Sequence, residues 1–200
     1  MLGLTFEIGE YNGVLDLTTA EKNGVPLDSF GRLLHPYGAV LVTAESKAKR
    51  NVMAVAWIMP VSMNPPLLAT SIRADRYTYK LISECKCFAV NIPSFAQAKE
   101  VLMCGRKSGK DTDKFKEANF TVQKGRATDT PIIKECVAHI ECRVANISKV
   151  GDHMLITGEV CAAYASNEIF DKMYKLDKHR PLLHLGGDLF TTTQKESIKP

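Results

Sequence analysis

Residues 51–68 read NVMAVAWIMPVSMNPPLL and join an apolar strand of small residues to the chain's single tryptophan and a pair of prolines. Ala54 and Ala56 leave room for a flat ring to approach the backbone, and Trp57 offers a planar surface beside it. The prolines lack amide donors and favour an extended backbone, so the strand must end there. The segment therefore has two interpretations: the floor of a site for an aromatic cofactor, or ordinary core followed by a turn.

The composition is typical of one globular domain. The chain has 200 residues, of which 45% are hydrophobic and 24% charged, and this is enough to bury a full core. The formal net charge of +4 permits an anionic ligand, but the basic residues are scattered and do not predict nucleic-acid binding. No apolar run is long enough to cross a bilayer, and the N-terminus lacks the basic start of a secretory signal. We therefore predict a cytoplasmic protein.

The six cysteines contain no C-x-x-C pair. Without a signal peptide, disulfides are not expected. Cys85 and Cys87 are candidate metal ligands, but no histidine or second pair stands at useful spacing, so we predict no metal site. The cysteines are instead predicted to be free and mostly buried thiols.

The chain divides into three predicted regions. Residues 1–27 form an arm in which Asn12-Gly13 indicates a hairpin. Residues 28–190 form the main domain, and residues 191–200 form a polar tail. The arm is expected to cover an edge of the main domain or to reach a partner subunit.

Short apolar runs and two long alternating segments predict a mainly β domain. The predicted strands cover residues 39–43, 52–58, 67–72, 88–92, 137–147 and 154–164. The last two strands should form a hairpin. On the first of them, Ala138 and Ile140 share one face, and His139, Glu141 and Arg143 share the other.

Helical patterns are fewer and shorter. Helices are predicted over residues 76–85, 95–104 and 112–117. Asp75 is the expected N-cap of the first helix. Ser94 and Gln97 form a capping-box pattern before the second helix, and Gly105 should end that helix. Many strands with few short helices favour a barrel or sheet core with attached helices, and both a Greek-key barrel and a sandwich fit the spacing.

Two arginines stand where a strand ends and a helix begins. A helix N-terminus offers unpaired amide donors and positive potential, and arginine adds bidentate recognition of phosphate. The spacing lets Ser71, Arg73, Arg76 and Thr78 surround one phosphate. The alternative is a solvated helix start with two surface arginines.

A series of motifs in one order resembles the FMN-binding split-barrel family of flavin reductase-like proteins and flavoredoxins. The similarity runs from about residue 30 to about residue 190. Its motifs are residues 51–66 with their Pro-Pro end, His35-Pro36 before residues 39–43, Ser71–Arg73, Arg76–Thr78, Phe88–Asn91, Cys104-Gly105, Asp113–Phe115, Gly151–His153 and Pro181–Gly187.

The resemblance implies a mainly β fold with α, namely a Greek-key split β-barrel with short peripheral helices, that binds FMN. The cofactor-binding residues it implies are Asn51, Val52, Met53, Ala54, Trp57, Ser71, Arg73, Arg76, Thr78, Cys104, Lys110 and Lys114. Residues 51–54 would meet the polar edge of the flavin ring, and Lys110 or Lys114 would neutralise the phosphate or the reduced flavin. Trp57 has the alternative of a core aromatic residue, and Cys104 that of a buried thiol.

The motif Gly151-Asp152-His153 lies on the predicted hairpin turn. In reductases of the family, such a motif is associated with nicotinamide binding. His153 would then orient NAD(P)H rather than act as a base, because hydride transfer requires mainly stacking and alignment. The alternative is a solvated turn histidine.

The leading functional hypothesis is a homodimeric FMN oxidoreductase reduced by NAD(P)H. A second hypothesis is a flavoredoxin-type electron carrier that receives electrons from a redox protein. A third is a binding module without redox activity, which the scattered charge makes the weakest.

Overall fold

The computed structural model describes residues 20–195. These residues divide into two compact units, and the boundary between the units lies after Leu33. A 3-10 helix over Leu27–Leu34 has no buried residues, and residues 34–195 form the domain that carries the site. The hairpin predicted at Asn12-Gly13 and residues 196–200 of the tail lie outside the described residues, and the three-region division stays a prediction.

Short strands dominate the described residues. They are β1 (Tyr37–Gly38), β2 (Val40–Ser46), β3 (Lys49–Val55), β4 (Ile58–Met63), β5 (Pro66–Arg73), β6 (Cys87–Ile92), β7 (Val122–Lys124), β8 (Pro131–Ile133), β9 (Ala138–Val150), β10 (His153–Ala165), β11 (Phe170–Asp171), β12 (Met173–Tyr174), β13 (Leu183–Gly186) and β14 (Leu189–Thr191). The helices are α1 (Tyr77–Cys85), α2 (Ala98–Arg106) and α3 (Lys114–Glu117), with a 3-10 turn over Phe95–Gln97 before α2.

Seven antiparallel strands form the main sheet, in the order β3-β2-β6-β9-β10-β5-β4. Val55 on one edge strand and Ile58 on the other pack against the same apolar cluster, together with Leu81 of α1. The sheet therefore curls into a barrel that stays split between β3 and β4, where only Ala56 and Trp57 connect the two strands. This mainly β architecture with peripheral helices is the predicted split barrel.

A second apolar cluster lies on the other side of β2 and β3. Leu41 and Val52 pack there against Val101 of α2, Phe115 of α3 and Ile133 of β8. The short helices are thus held against the strand that carries the candidate cofactor residues, and burial of these apolar side chains fixes their position.

Several local predictions are confirmed. Helix α1 begins and ends within one residue of the predicted range, and β9 and β10 form the predicted hairpin. The capping box of Ser94 and Gln97 is present, although it begins the 3-10 turn rather than α2. The prediction that Gly105 ends the helix is wrong, because α2 continues through Arg106.

One strand prediction needs correction. Residues 52–58 do not form one strand, because β3 ends at Val55 and β4 begins at Ile58. The alternating face of β9 that carries His139 and Glu141 is buried, whereas Arg143 is exposed. Polar side chains on one face of a strand do not by themselves show that the face meets water.

The buried carboxylate of Glu141 accepts hydrogen bonds from a loop. Its donors are the amides of Arg126, Ala127 (2.9 Å) and Thr128 (2.8 Å), the Thr128 hydroxyl (2.9 Å) and the Tyr164 hydroxyl (3.0 Å). Burial alone would raise the pKa of Glu141, but the amide hydrogen bonds hold it below the usual range. The carboxylate therefore ties the loop to β9 as an anion.

The six cysteines are free, as predicted. Burial of their side chains is less complete than expected. Cys104, Cys136 and Cys142 are buried, and the other three, Cys85, Cys87 and Cys161, are half-buried.

Candidate functional site

A cleft of about 180 Å³ lies between β3, the start of α1 and the loop that follows α2. Among the predicted residues, it is lined by Asn51, Met53, Ala54, Arg76, Thr78, Cys104 and Lys114. The other predicted cofactor-binding residues do not line it, namely Val52, Trp57, Ser71, Arg73 and Lys110. The cleft is also lined by Tyr77, Arg106 and Gly109, which were not among the predicted site residues. The sequence signal for Tyr77 was its place between Arg76 and Thr78, and that for Arg106 and Gly109 was the glycine-rich stretch after Cys104.

The floor of the cleft is built by a hydrogen bond between β3 and α1. The Asn51 carboxamide, 3% exposed, donates from Nδ2 to Oγ1 of Thr78 over 2.9 Å. Because the Thr78 oxygen accepts this bond, its hydroxyl hydrogen can donate to a ligand. Gly109 must lack a side chain, since a Cβ there would collide with the Asn51 carboxamide.

The N-terminus of α1 opens toward the cleft. Arg76 is the N-cap residue, with an extended backbone and no capping side-chain hydrogen bond. The first amides of a helix have no intrahelical acceptor, and no acidic residue lies in the first turn of α1. This end of the helix therefore presents donors and positive potential to an anion.

Asp75 does not cap α1 as the sequence predicted. Its carboxylate lies 3.1 Å from Nη2 of Arg73 and 4.0 Å from Nε of Arg76. All three side chains are more than half exposed. The aspartate thus holds both guanidinium groups near the helix start, at the surface, where each retains donors for a phosphate.

Lys114 is buried and faces backbone oxygens. Its ammonium nitrogen donates to the carbonyls of Val52 (2.8 Å) and Cys104 (2.7 Å), and so joins β3 to α2. Burial lowers the pKa of Lys114 and the Arg76 cation lowers it further, whereas Cys104 opposes the shift. The expectation that Lys114 contacts the phosphate remains a prediction; in this structure the side chain joins two elements of the cleft wall.

Val52 and Cys104 contribute backbone rather than side chains. The Val52 side chain is fully buried in the second apolar cluster. Cys104 is also buried, and desolvation raises the pKa of its thiol to about 12. Cys104 is therefore a neutral thiol at the cleft wall, in agreement with the alternative interpretation of this residue.

Trp57 and His153 form an aromatic pair beside Arg73. Their ring centroids lie 5.0 Å apart, and the indole is half exposed. His153 stands opposite Arg73 in the β5–β10 register, and its Nδ1 lies 2.8 Å from Oδ1 of Asp152. Hydrogen bonding to His153 holds the pKa of Asp152 below its usual range. The carboxylate therefore fixes the ring orientation of a histidine that can stack against a planar ligand.

Within residues 20–195, no group of three or more His, Cys, Asp or Glu side chains is placed to hold a metal ion. The same part of the chain contains no helix with the length and apolar character that a membrane span requires.

The comparisons with known proteins agree with this fold. The family model described as "Flavin reductase like domain" matches residues 30–193. A flavin reductase from Pseudomonas putida is 32% identical over 127 residues, which cover 63% of this chain and 71% of that protein. The match to a relative from Aeropyrum pernix spans 62% of the length of that protein, and the match to a relative from Archaeoglobus fulgidus spans 94%.

Two solved structures are similar over nearly the whole chain. The flavoredoxin from Methanosarcina acetivorans superposes with a TM-score of 0.80 at 31% identity, and the match covers 90% of this chain and 95% of that one. An FMN-binding protein from Thermus thermophilus with bound p-hydroxybenzaldehyde gives a TM-score of 0.79 at 25% identity and covers 90% and 99%. The chain belongs to the flavin reductase-like family, and its fold is the FMN-binding split barrel of that family.

Proposed function

We propose that the protein binds FMN and acts as an oxidoreductase that takes electrons from NAD(P)H. The observation that carries the proposal is the meeting of β3 with the open N-terminus of α1 at one cleft, held by the bond between Asn51 and Thr78. Flavin reductase and FMN-binding relatives support the same cofactor class.

The residues present fit the two ends of FMN. The first-turn amides of α1, the Thr78 hydroxyl and the guanidinium groups of Arg73 and Arg76 suit a phosphate. Met53 and Ala54 are partly exposed on β3 and leave a low, apolar surface for the ring. The cleft encloses about 180 Å³, so it suits the phosphate end of the cofactor while the ring extends along β3.

Bound FMN would supply reversible acceptance of electrons, which no side chain of this site provides. The chain's own residues bind and orient. Arg73 and Arg76 would neutralise the phosphate, and the buried Lys114 would place a positive charge under β3. The amides and carbonyls of residues 51–54 would form hydrogen bonds with the polar edge of the flavin ring.

The half-exposed Trp57, together with His153, whose side chain is 20% exposed, is the proposed position for the nicotinamide. A planar donor would stack on this pair, and His153, whose orientation Asp152 fixes, would donate or accept one hydrogen bond to it. Alignment of the two rings is the main requirement for transfer, so no general base is needed.

A second candidate is an electron carrier of the flavoredoxin type, supported by the similarity to the Methanosarcina protein. In this case the half-exposed Trp57 would face a redox protein rather than a nucleotide. The weakest alternative, a binding module without redox activity, predicts a colourless protein.

Two experiments separate these candidates. The absorption spectrum of the purified protein, followed by identification of the released chromophore, tests FMN binding. Anaerobic mixing with NADH or NADPH should bleach the flavin rapidly in a reductase; bleaching only by reduced ferredoxin indicates a carrier. His153→Ala should slow bleaching by NAD(P)H, whereas His184→Ala, a histidine bound to the Gly187 carbonyl, is the control.

We further propose that the protein is a homodimer in the cytoplasm. The edge strand β4 exposes Met59, Val61 and Met63, apolar side chains that a second subunit would cover. Sedimentation equilibrium should give twice the mass of the chain for the wild type. Val61→Glu should shift the distribution toward monomer, and an unchanged dimer would reject β4 as the interface.

A further inference from the structure

A second cleft of about 500 Å³ lies beside the opposite end of α1. It is bounded by the turn between β2 and β3, the end of α1 and the β7–β8 hairpin, and it shares no lining residue with the candidate flavin cleft. Two thiols, Cys85 and Cys87, line it together. The proposed flavin chemistry gives these thiols no role.

The backbone between the two cysteines brings them close. Cys85 ends α1, Cys87 begins β6, and Lys86 between them has left-handed helical angles, φ 58 and ψ 24. In helical geometry, residues two apart have Cα atoms about 5.4 Å from each other. Disulfides span Cα separations of about 4.4–6.8 Å, so the spacing of these two Cα atoms falls within that range.

Both thiols are partly accessible, and the Cys85 thiol contacts the backbone of Cys87. Both are half-buried, in contrast to the buried Cys104, Cys136 and Cys142. The Cys85 thiol donates to the Cys87 carbonyl over 3.0 Å. Burial and the neighbouring Cys85 raise the pKa of Cys87.

The charges around the cleft favour an anionic ligand. Lys47, Arg50 and Lys124 line it, against the carboxylates of Glu45 and Asp129. Asp129 lies 3.9 Å from Lys124. Three cations against two anions leave a net positive cleft, with room for a ligand larger than a single anion.

We propose that Cys85 and Cys87 form a dithiol that reduces small anionic disulfides bound in this second cleft. The Cys85 thiolate attacks one sulfur of the ligand, the ligand's S–S bond breaks, and the first thiolate leaves and takes up a proton. The Cys87 thiolate then attacks Cys85 Sγ and expels the second thiolate. The two cysteines lose two electrons and form one disulfide, and the ligand gains them as two thiols.

The test uses the purified protein as isolated, with glutathione disulfide as the probe. The wild type should release two glutathione molecules per chain, and peptide mass mapping should find a bond between Cys85 and Cys87. Cys87→Ser should release only one and retain glutathione on Cys85. Cys161→Ser, which removes the third half-buried thiol, should behave as the wild type.

A neutral probe tests the charge of the cleft. The double variant Lys47→Gln/Lys124→Gln should slow reaction with glutathione disulfide roughly threefold and leave reaction with hydroxyethyl disulfide unchanged. An unchanged circular dichroism spectrum confirms that each variant is folded. The proposal is overturned if the wild type forms no bond between Cys85 and Cys87, or if the lysine variant slows both probes equally. Neither result depends on bound flavin.

Discussion

Two Arg-x-Thr segments of this chain present backbone amides to an anion, and they differ in where the anion comes from. In Arg126–Thr128, the amides and the threonine hydroxyl bind the chain's own Glu141. In Arg76–Thr78, the segment begins α1 and faces the candidate flavin cleft. Folding supplies the anion of the first segment, whereas the second is the proposed site for the phosphate of a ligand.

The similarity extends to the surroundings of each segment. A glycine stands beside both, and a Cβ at Gly125 would collide with the Glu141 carboxylate just as one at Gly109 would collide with Asn51. Each arginine has a different partner: Arg126 stacks on the Tyr164 ring at 3.9 Å, and Arg76 lies near Asp75 at the surface. Substitutions in the closed segment should therefore change stability, and those in the open segment should change ligand binding.

The largest effect is expected from Glu141→Ala. It leaves three amides and one hydroxyl of the closed segment, together with the Tyr164 hydroxyl, without this acceptor. The free energy of unfolding should therefore fall by about 4 kcal/mol. Urea denaturation measures this change. Glu135→Ala removes an exposed carboxylate that accepts only from the Thr121 amide and should cost less than about 1 kcal/mol; equal losses would contradict the role of Glu141.

Lys114→Met should reduce stability by about 3 kcal/mol, because the carbonyls of Val52 and Cys104 lose their buried donor. Because the same two hydrogen bonds join β3 to α2 at the candidate cleft, the affinity for flavin should also fall. Lys116→Met, in the same helix α3 and highly exposed, is the matched control for urea denaturation. A fully stable Lys114→Met variant would show that the two carbonyls find other donors.

Acid should weaken the closed segment selectively. Because the folded pKa of Glu141 is lowered, its contribution is present above the unfolded pKa of about 4.3 and is lost as pH falls through the folded value. Stability measured from pH 7 down to pH 2 should therefore fall in the wild type more than in Glu141→Gln. Parallel curves for the two proteins would contradict this assignment.

Arg76→Ala should weaken FMN binding roughly tenfold, about 1.4 kcal/mol, without a measurable change in stability. The effect is moderate because more than half of the side chain is exposed. Fluorescence titration of the apoprotein measures it. Arg126→Ala should give the reverse, a stability loss with unchanged FMN affinity, and the two variants together test the contrast between the segments.

The smallest effect is the coupling between Asn51 and Thr78. A double-mutant cycle with Asn51→Ala and Thr78→Ala should give about 1 kcal/mol in the free energy of unfolding. The same cycle in FMN titration should show that Thr78 also matters on its own, through the hydroxyl hydrogen that Asn51 leaves available. Additive stability effects would contradict the hydrogen bond.

The difference between local and long-range information explains which predictions succeeded. The capping box at Ser94 and the helical period of α1 depend on neighbouring residues, and both are confirmed. The burial of Glu141 depends on a loop that comes earlier in the chain, so the alternation of β9 could not reveal it. The carbonyl contacts of Lys114 depend on the packing of α3 against β3, and sequence indicated only that a lysine lay near the site.

Trp57 connects the two edge strands of the split barrel. Its carbonyl accepts from the Ser71 amide (3.0 Å) and the Thr70 hydroxyl (3.1 Å), while half of its side chain faces outward. The main chain at this position is thus anchored independently of the ring. The residue at position 57 can therefore be exchanged without rebuilding the backbone that joins the two edge strands.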